Sequence, residues 1–132
     1  MQFHIDASPR TKQYIAALLP SMLSQLKLDN SKKLLQILMD SELDGLGATV
    51  PLVELDTILV VLKPNRNKLA FGITLAHELT HVAQLAKGTL KSTPKGHKWK
   101  GKFYGRNVAY LQQPWEIQAF SQQELIFRRA ID

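Results

Sequence analysis

A chain of 132 residues is long enough to bury one hydrophobic core and too short to carry a separate substrate-binding domain, so a single domain spanning residues 1–132 is expected. With 45% apolar and 21% charged residues it has the balance of an ordinary globular protein, and the lack of cysteine excludes disulfides and thiolate metal sites. The formal charge of +6 leaves room for an acidic partner.

The opening Met1–Asp6 has no basic region followed by an apolar run, and no stretch approaches the ~20 apolar residues of a membrane span. A cytoplasmic, monomeric protein with no membrane contact is expected. Ser8 and Pro9 suit the start of a helix, after which Ile15, Leu18, Leu19, Met22, Leu23 and Leu26 form one apolar face. Pro20 is expected to kink or split this helix, which would pack beneath a sheet. Leu34–Met39 reads as a strand, although its periodicity also fits a helix. Asp44-Gly45-Leu46-Gly47 marks a turn. Leu52 to Leu62 then reads as one strand, wholly apolar from Ile58 onward and so expected to be covered on both faces at that end.

Lys63 to Asn67 breaks the strand and leads into the stretch that carries chemistry, Thr74-Leu75-Ala76-His77-Glu78-Leu79-Thr80-His81-Val82-Ala83-Gln84. Its H-E-x-x-H spacing is the one that hydrolytic zinc sites place on a helix. At about 100° per residue, His77 and His81 lie ~40° apart and one turn distant, close enough for both imidazoles to meet one metal ion. Leu75, Leu79, Val82 and Ala86 fall on the opposite side, facing a core, while Ile73 and Gln84 fall near the histidines. Two imidazoles and one further protein ligand would leave a Zn2+ ion an open position for a water of lowered pKa, whose proton Glu78 would take. The helix is expected to start between Asn67 and Phe71 and to stop at Gly88.

The last helix opens at Pro114 after Gln113, and Glu116, Phe120, Gln123 and Phe127 share one stripe of it. A carboxylate on that apolar stripe needs a cation, and the zinc ion would be one. Read from the residues alone, a Lys or Arg partner or a favourable position in the helix dipole also fits Glu116. His97 competes as third ligand but sits among Lys95, Lys98 and Lys100 in what reads as a loop or edge strand. The longer metzincin pattern is excluded, because Gln84 and Lys87 stand where its glycine and third histidine belong.

T-L-A-H-E-L-T-H-V-A-Q followed by P-W-E-I-Q-A resembles the small gluzincin-type zinc metallopeptidases, especially the compact kind that phages encode, and more distantly the ImmA-like peptidases. The resemblance covers roughly residues 58–131. It implies an α+β zincin-like fold, in which a small mixed or antiparallel sheet packs on an N-terminal helix and the H-E-x-x-H helix, with a C-terminal glutamate helix. It also implies one zinc ion held by His77, His81 and Glu116, with Glu78 as catalytic base and a peptide or protein as substrate. An edge strand within residues 49–62 or 97–105 would hold that substrate. Two departures stand out: Gln118 replaces a second acid often found in the family, and Phe120 occupies the acidic position of the thermolysin pattern. The residue that orients the metal-bound histidines is therefore open, with Asp56 or a backbone carbonyl as candidates.

Residues 82–115 contain no acid but hold Lys87, Lys91, Lys95, Lys98, Lys100, Lys102 and Arg106. This stretch is either a solvated connector or a basic rim for acidic substrates or nucleic acid; in the second case the chain could be a binding module with a structural zinc site, or a protease of DNA-associated proteins as in the SprT-like zincins. Trp99, Phe103, Tyr104 and Tyr110 among these cations are expected to anchor a hairpin on the core. Tyr110, Tyr104 and His97 are the candidates for stabilising a developing oxyanion.

Overall fold

The computed structural model describes residues 1–132 as an α+β fold of three helices and two sheets. The first sheet has β1 (Gln2–Asp6), β2 (Leu34–Met39), β3 (Gly47–Leu52) and β4 (Thr57–Leu62) in the order β1-β2-β4-β3. β1, β2 and β4 run parallel, and β3 pairs antiparallel with β4 as an edge. The second sheet is an antiparallel meander of β5 (Leu90–Thr93), β6 (Gly96–Trp99) and β7 (Lys102–Gly105).

Register explains which face of the first sheet is covered. Ile5, Ile37 and Val60 stand side by side, as do Leu35 and Ile58, and all five are buried. They join one core with α1 (Pro9–Gln25), α2 (Lys68–Ala86) and α3 (Pro114–Ile131), so the helices lie against a single face. The opposite face carries Leu34, Leu38, Leu59, Val61 and Val50 exposed or half-buried. The expected two-sided cover of residues 58–62 is thus absent, since no helix crosses to that side.

Leu52 to Leu62 is not one strand. β3 ends at Leu52, Val53–Leu55 form a short 3-10 turn, and Asp56 takes a left-handed φ of 50°, which reverses the chain into β4. Pro20 does not split α1, which runs unbroken with this residue on its exposed side. Its face of Ile15, Leu18, Leu19, Met22 and Leu23 is buried, as its periodicity predicts. β1 has no counterpart in the reading of the sequence, because its alternation buries only Ile5.

The edge strand β3 lies next to α2. The Lys63 N–H donates to the Leu46 carbonyl (3.0 Å), so by antiparallel alternation the backbone groups of Gly47 and Thr49 point away from β4 toward the open edge. Pro51, with no N–H to offer, falls on the same outward side, the place where a strand tolerates proline.

α2 begins as expected, with the Asn67 side chain accepting from the Ala70 N–H (3.0 Å), and ends before Gly88 at φ 75°. It packs most extensively on α3, and Gly72 makes room for a side chain of that helix: a Cβ there would run into the ring of Phe127. Gly72→Ala is expected to destabilise the fold by about 1–3 kcal/mol through overpacking, although alanine favours a helix by about 0.8–1 kcal/mol over glycine. Urea unfolding measures the difference, and adding Phe127→Leu should recover part of the loss.

Candidate metal centre

The third and fourth turns of α2 and the first turn of α3 bring His77, His81 and Glu116 together, all buried. Glu116 Oε1 lies 2.9 Å from His77 Nε2 and 3.0 Å from His81 Nε2, and the three ligand atoms fall within 4.8 Å of one another. A tetrahedral zinc ion with bonds of about 2.0–2.1 Å separates its ligand atoms by ~3.3 Å, a slight lengthening of the two distances from Glu116 to the imidazoles.

Hydrogen bonding around the imidazoles establishes what their inner nitrogens present. Gln84 Nε2 donates to the Trp115 carbonyl (3.0 Å) and to Gln118 Oε1 (2.8 Å), which fixes the orientation of its amide. Gln84 Oε1 therefore faces His81 Nδ1 (2.8 Å), and that nitrogen must carry the proton and donate it. Gln123 Oε1 stands in the same relation to His77 Nδ1 (2.9 Å). With Nδ1 protonated, each neutral imidazole turns a lone pair from Nε2 toward a carboxylate oxygen. Three acceptors facing one another repel unless a cation sits among them, so the donor set fits a metal ion.

The same charges appear in the acid–base behaviour. Burial opposes ionisation of Glu116, but hydrogen bonds from His77 and His81 prevail and hold its carboxyl down at about 2. Burial likewise disfavours protonated His81, yet hydrogen bonds to Glu116 and Gln84 raise its pKa overall. Without a metal, protons serve as the cation.

Glu78 is buried on the other side of His77 and His81, with its Oε1 accepting from the Thr49 hydroxyl (2.8 Å). Burial raises its pKa against the pull of that hydrogen bond and of the imidazoles, and the charge of Glu116 adds to the rise. Gly47 makes the room: a Cβ on it would come within 2.9 Å of Glu78 Cγ. A cavity of about 260 Å3 opens beside this carboxylate, lined in part by Thr49, His97 and Trp115. A larger one of about 650 Å3 lies on the flank formed by Leu46, Ile73 and Phe120. Both touch His77, Glu78 and Tyr110, so the centre sits between two hollows under the β3 edge.

Of the residues expected here, Tyr110 is brought in, its hydroxyl donating to Glu116 Oε1 (3.1 Å). Burial and the neighbouring Glu116 push its pKa up to about 12, so it remains a donor. His97 is on the central strand of the meander, not in a loop, and its ring packs on Trp115 at 4.8 Å; it lines the smaller cavity but does not join the ligand cluster. Burial lowers its pKa, keeping it neutral. Tyr104 is held away from the centre, edge-on to Trp115 at 5.7 Å with the Lys102 ammonium over its ring. Asp56 is not an orienting residue: it pairs with Lys33 at 2.8 Å at the start of β4.

The orienting residues are Gln84, Gln118 and Gln123, which reading the sequence for acids passes over. Gln118, in the place of an acid, acts on Gln84 and not on the histidines directly. Helical spacing was the available signal for Gln84, which falls about 20° from His77; Thr49 lies in one of the two ranges expected to hold an edge strand, but nothing in the sequence pointed to Thr49 or Gly47 as neighbours of Glu78. No helix is long and apolar enough to cross a membrane. Comparison with protein-family models, curated proteins and solved structures gives no match to this chain.

Two outcomes follow from this geometry. Gln84→Ala should leave the fold intact but lower zinc affinity about 10–100-fold, measured by competition with a chromogenic chelator. In the metal-free protein, the contribution of Glu116 is present above the ordinary carboxyl value of 4.5 and lost as pH falls toward about 2. That of His81 is complete below its ordinary 6.5 and lost as pH rises through its raised value. In a Glu78→Gln background, which removes the loss of stability that the raised Glu78 pKa causes as pH climbs above 4.5, melting temperature without metal is therefore expected to peak between pH 4.5 and 6.5, while added zinc should raise it most above that window, where His81 has given up its proton; fluorimetric scans across pH check both.

Proposed function

We propose that this chain is a single-domain, zinc-dependent metallopeptidase of the gluzincin kind, with His77, His81 and Glu116 as ligands and Glu78 as general base. The observation that carries the reading is the convergence of two oriented Nε2 lone pairs on the Glu116 carboxylate, with a second buried carboxylate beside them in an open cavity. A purely structural zinc site has no use for Glu78, whose only side-chain hydrogen bond is from Thr49.

Zinc held there supplies Lewis acidity and lowers the pKa of an adjacent water to about 7. Glu78, its pKa raised by burial, is suited to take a proton from that water and to hand it to the leaving amine. Thr49 holds Glu78 Oε1 in place, which leaves Oε2 for the proton. The outward N–H and C=O groups of Gly47 and Thr49 give an extended peptide a strand to pair with, next to Glu78. Of the three candidate donors to an oxyanion, Tyr110 is favoured by its contact with Glu116 and its retained proton; His97 is second by its place in the cavity wall.

The test pairs metal content with turnover on a denatured protein substrate. Wild type should hold one zinc and cleave, Glu116→Ala should lose zinc, and Glu78→Gln should keep zinc while kcat falls by roughly 10²–10⁴. A wild type that retains no zinc, or a Glu78→Gln protein that cuts at full rate, sinks the reading.

A further inference from the structure

A separate cavity of about 590 Å3 opens where the carboxyl ends of β2 and β4 meet the first turns of α1 and α2. Arg10, Arg66 and Lys68 line it, with no Asp or Glu among its walls. None of the three cations has a salt-bridge or hydrogen-bond partner for its side chain; the ion pairs of the chain involve only Lys33 with Asp56 and the histidines with Glu116. Arg10 and Lys68 also stand in first turns that contain no acid, where the helix dipole disfavours a cation. Three like charges around one hollow repel each other, and an anion placed among them removes the repulsion.

The rest of the wall combines polar Thr11 and Asn65 with Pro64 and an apolar, aromatic part. Tyr14 and Phe71 place their rings 6.3 Å apart at 46°, and Met39 extends the surface. The Tyr14 hydroxyl donates to the Lys68 carbonyl (2.9 Å), which holds the ring upright, and the Lys68 ammonium lies 5.8 Å from its centroid. The volume is within the ~300–1,000 Å3 of small-molecule sites. Lys68 and His77 are nine residues apart on α2, a rise of about 14 Å, so this hollow is distinct from the metal centre.

We propose that this cavity binds a nucleoside phosphate, with the phosphate among Arg10, Arg66 and Lys68 and the base against the half-buried Tyr14 ring, beside which Phe71 is buried. Guanidinium groups bind phosphate oxygens in pairs, and an aromatic wall takes the flat base that inorganic phosphate lacks.

Calorimetric titration of the full chain at low ionic strength with ADP, inorganic phosphate and adenosine tests this, for wild type and for the Arg10→Ala/Arg66→Ala double variant. Both arginine side chains are exposed and remote from the metal ligands, so the variant should fold. ADP is expected to bind wild type with a submillimolar Kd, phosphate more weakly and adenosine more weakly still. The double variant should weaken ADP at least about tenfold, the loss of one charge-assisted hydrogen bond or more. Absence of any heat with ADP overturns the proposal, as does ADP binding that the double variant leaves unchanged. Phosphate binding as tightly as ADP overturns the assignment of a nucleoside.

Discussion

A carboxylate oxygen cannot rest against two imidazole lone pairs without a positive charge between them. Much of the structure enforces that contact. Glu116 sits in the first turn of α3 and the histidines in the middle of α2, so their distance is set by how closely the two helices approach. Gly72 lets the Phe127 ring lie directly on α2, and buried Ala119 keeps the seam narrow nearer the centre. The Trp115 carbonyl, one residue before Glu116, ties back to α2 through Gln84. Backbone packing and a single amide thus place three acceptors within bonding range of one ion before any ion arrives, and the ion takes over the place that protons hold until then.

That preorganisation depends on amides where acids might be expected. A carboxylate at position 84 or 118 would put more negative charge at a centre that already holds Glu116 and Glu78. An amide fixes the imidazole tautomer with no added charge, and its N–H group is anchored by a main-chain carbonyl that cannot ionise. Gln118, standing where an acid might be expected, has a physical role: it anchors the Gln84 amide, and orientation is supplied by dipoles.

The legible part of the sequence was the part governed by local periodicity. His77, Glu78 and His81 share a face because 3.6 residues make a turn, and Glu116 stood out as a carboxylate on an apolar stripe; their meeting follows from two amphipathic helices that must bury their faces on each other. The ends of α2 were readable from Asn67 and Gly88. What was not readable depends on pairing across distance. Nothing local to Gly47 or Thr49 says that they form an edge strand against Glu78, since that requires β3 to fold back on β4 through Asp56. Asp56 read as a possible orienting acid because its true role, a left-handed turn residue, is conformational. The two-sided cover expected for Ile58–Leu62 failed for a related reason: an apolar run reports the affinity of a strand for a core, not the number of helices available to supply one.

The two carboxylates of the site show how one fold gives them opposite properties. Both are buried, and burial alone would raise both. Glu116 faces two imidazoles at hydrogen-bonding distance, which overcomes its desolvation and keeps it ionised. Glu78 has only the Thr49 hydroxyl at that distance, feels the imidazoles less strongly, and is pushed further up by Glu116 itself. The group that is always charged is the one positioned as a ligand, and the group whose pKa is raised toward neutrality is the one facing open space. Environment alone thus divides two chemically equivalent side chains into a fixed charge and a group closer to exchanging its proton. Because the ionised Glu116 contributes to raising Glu78, the two carboxylates are linked: whatever offsets the charge of Glu116 also removes part of the repulsion that raises Glu78.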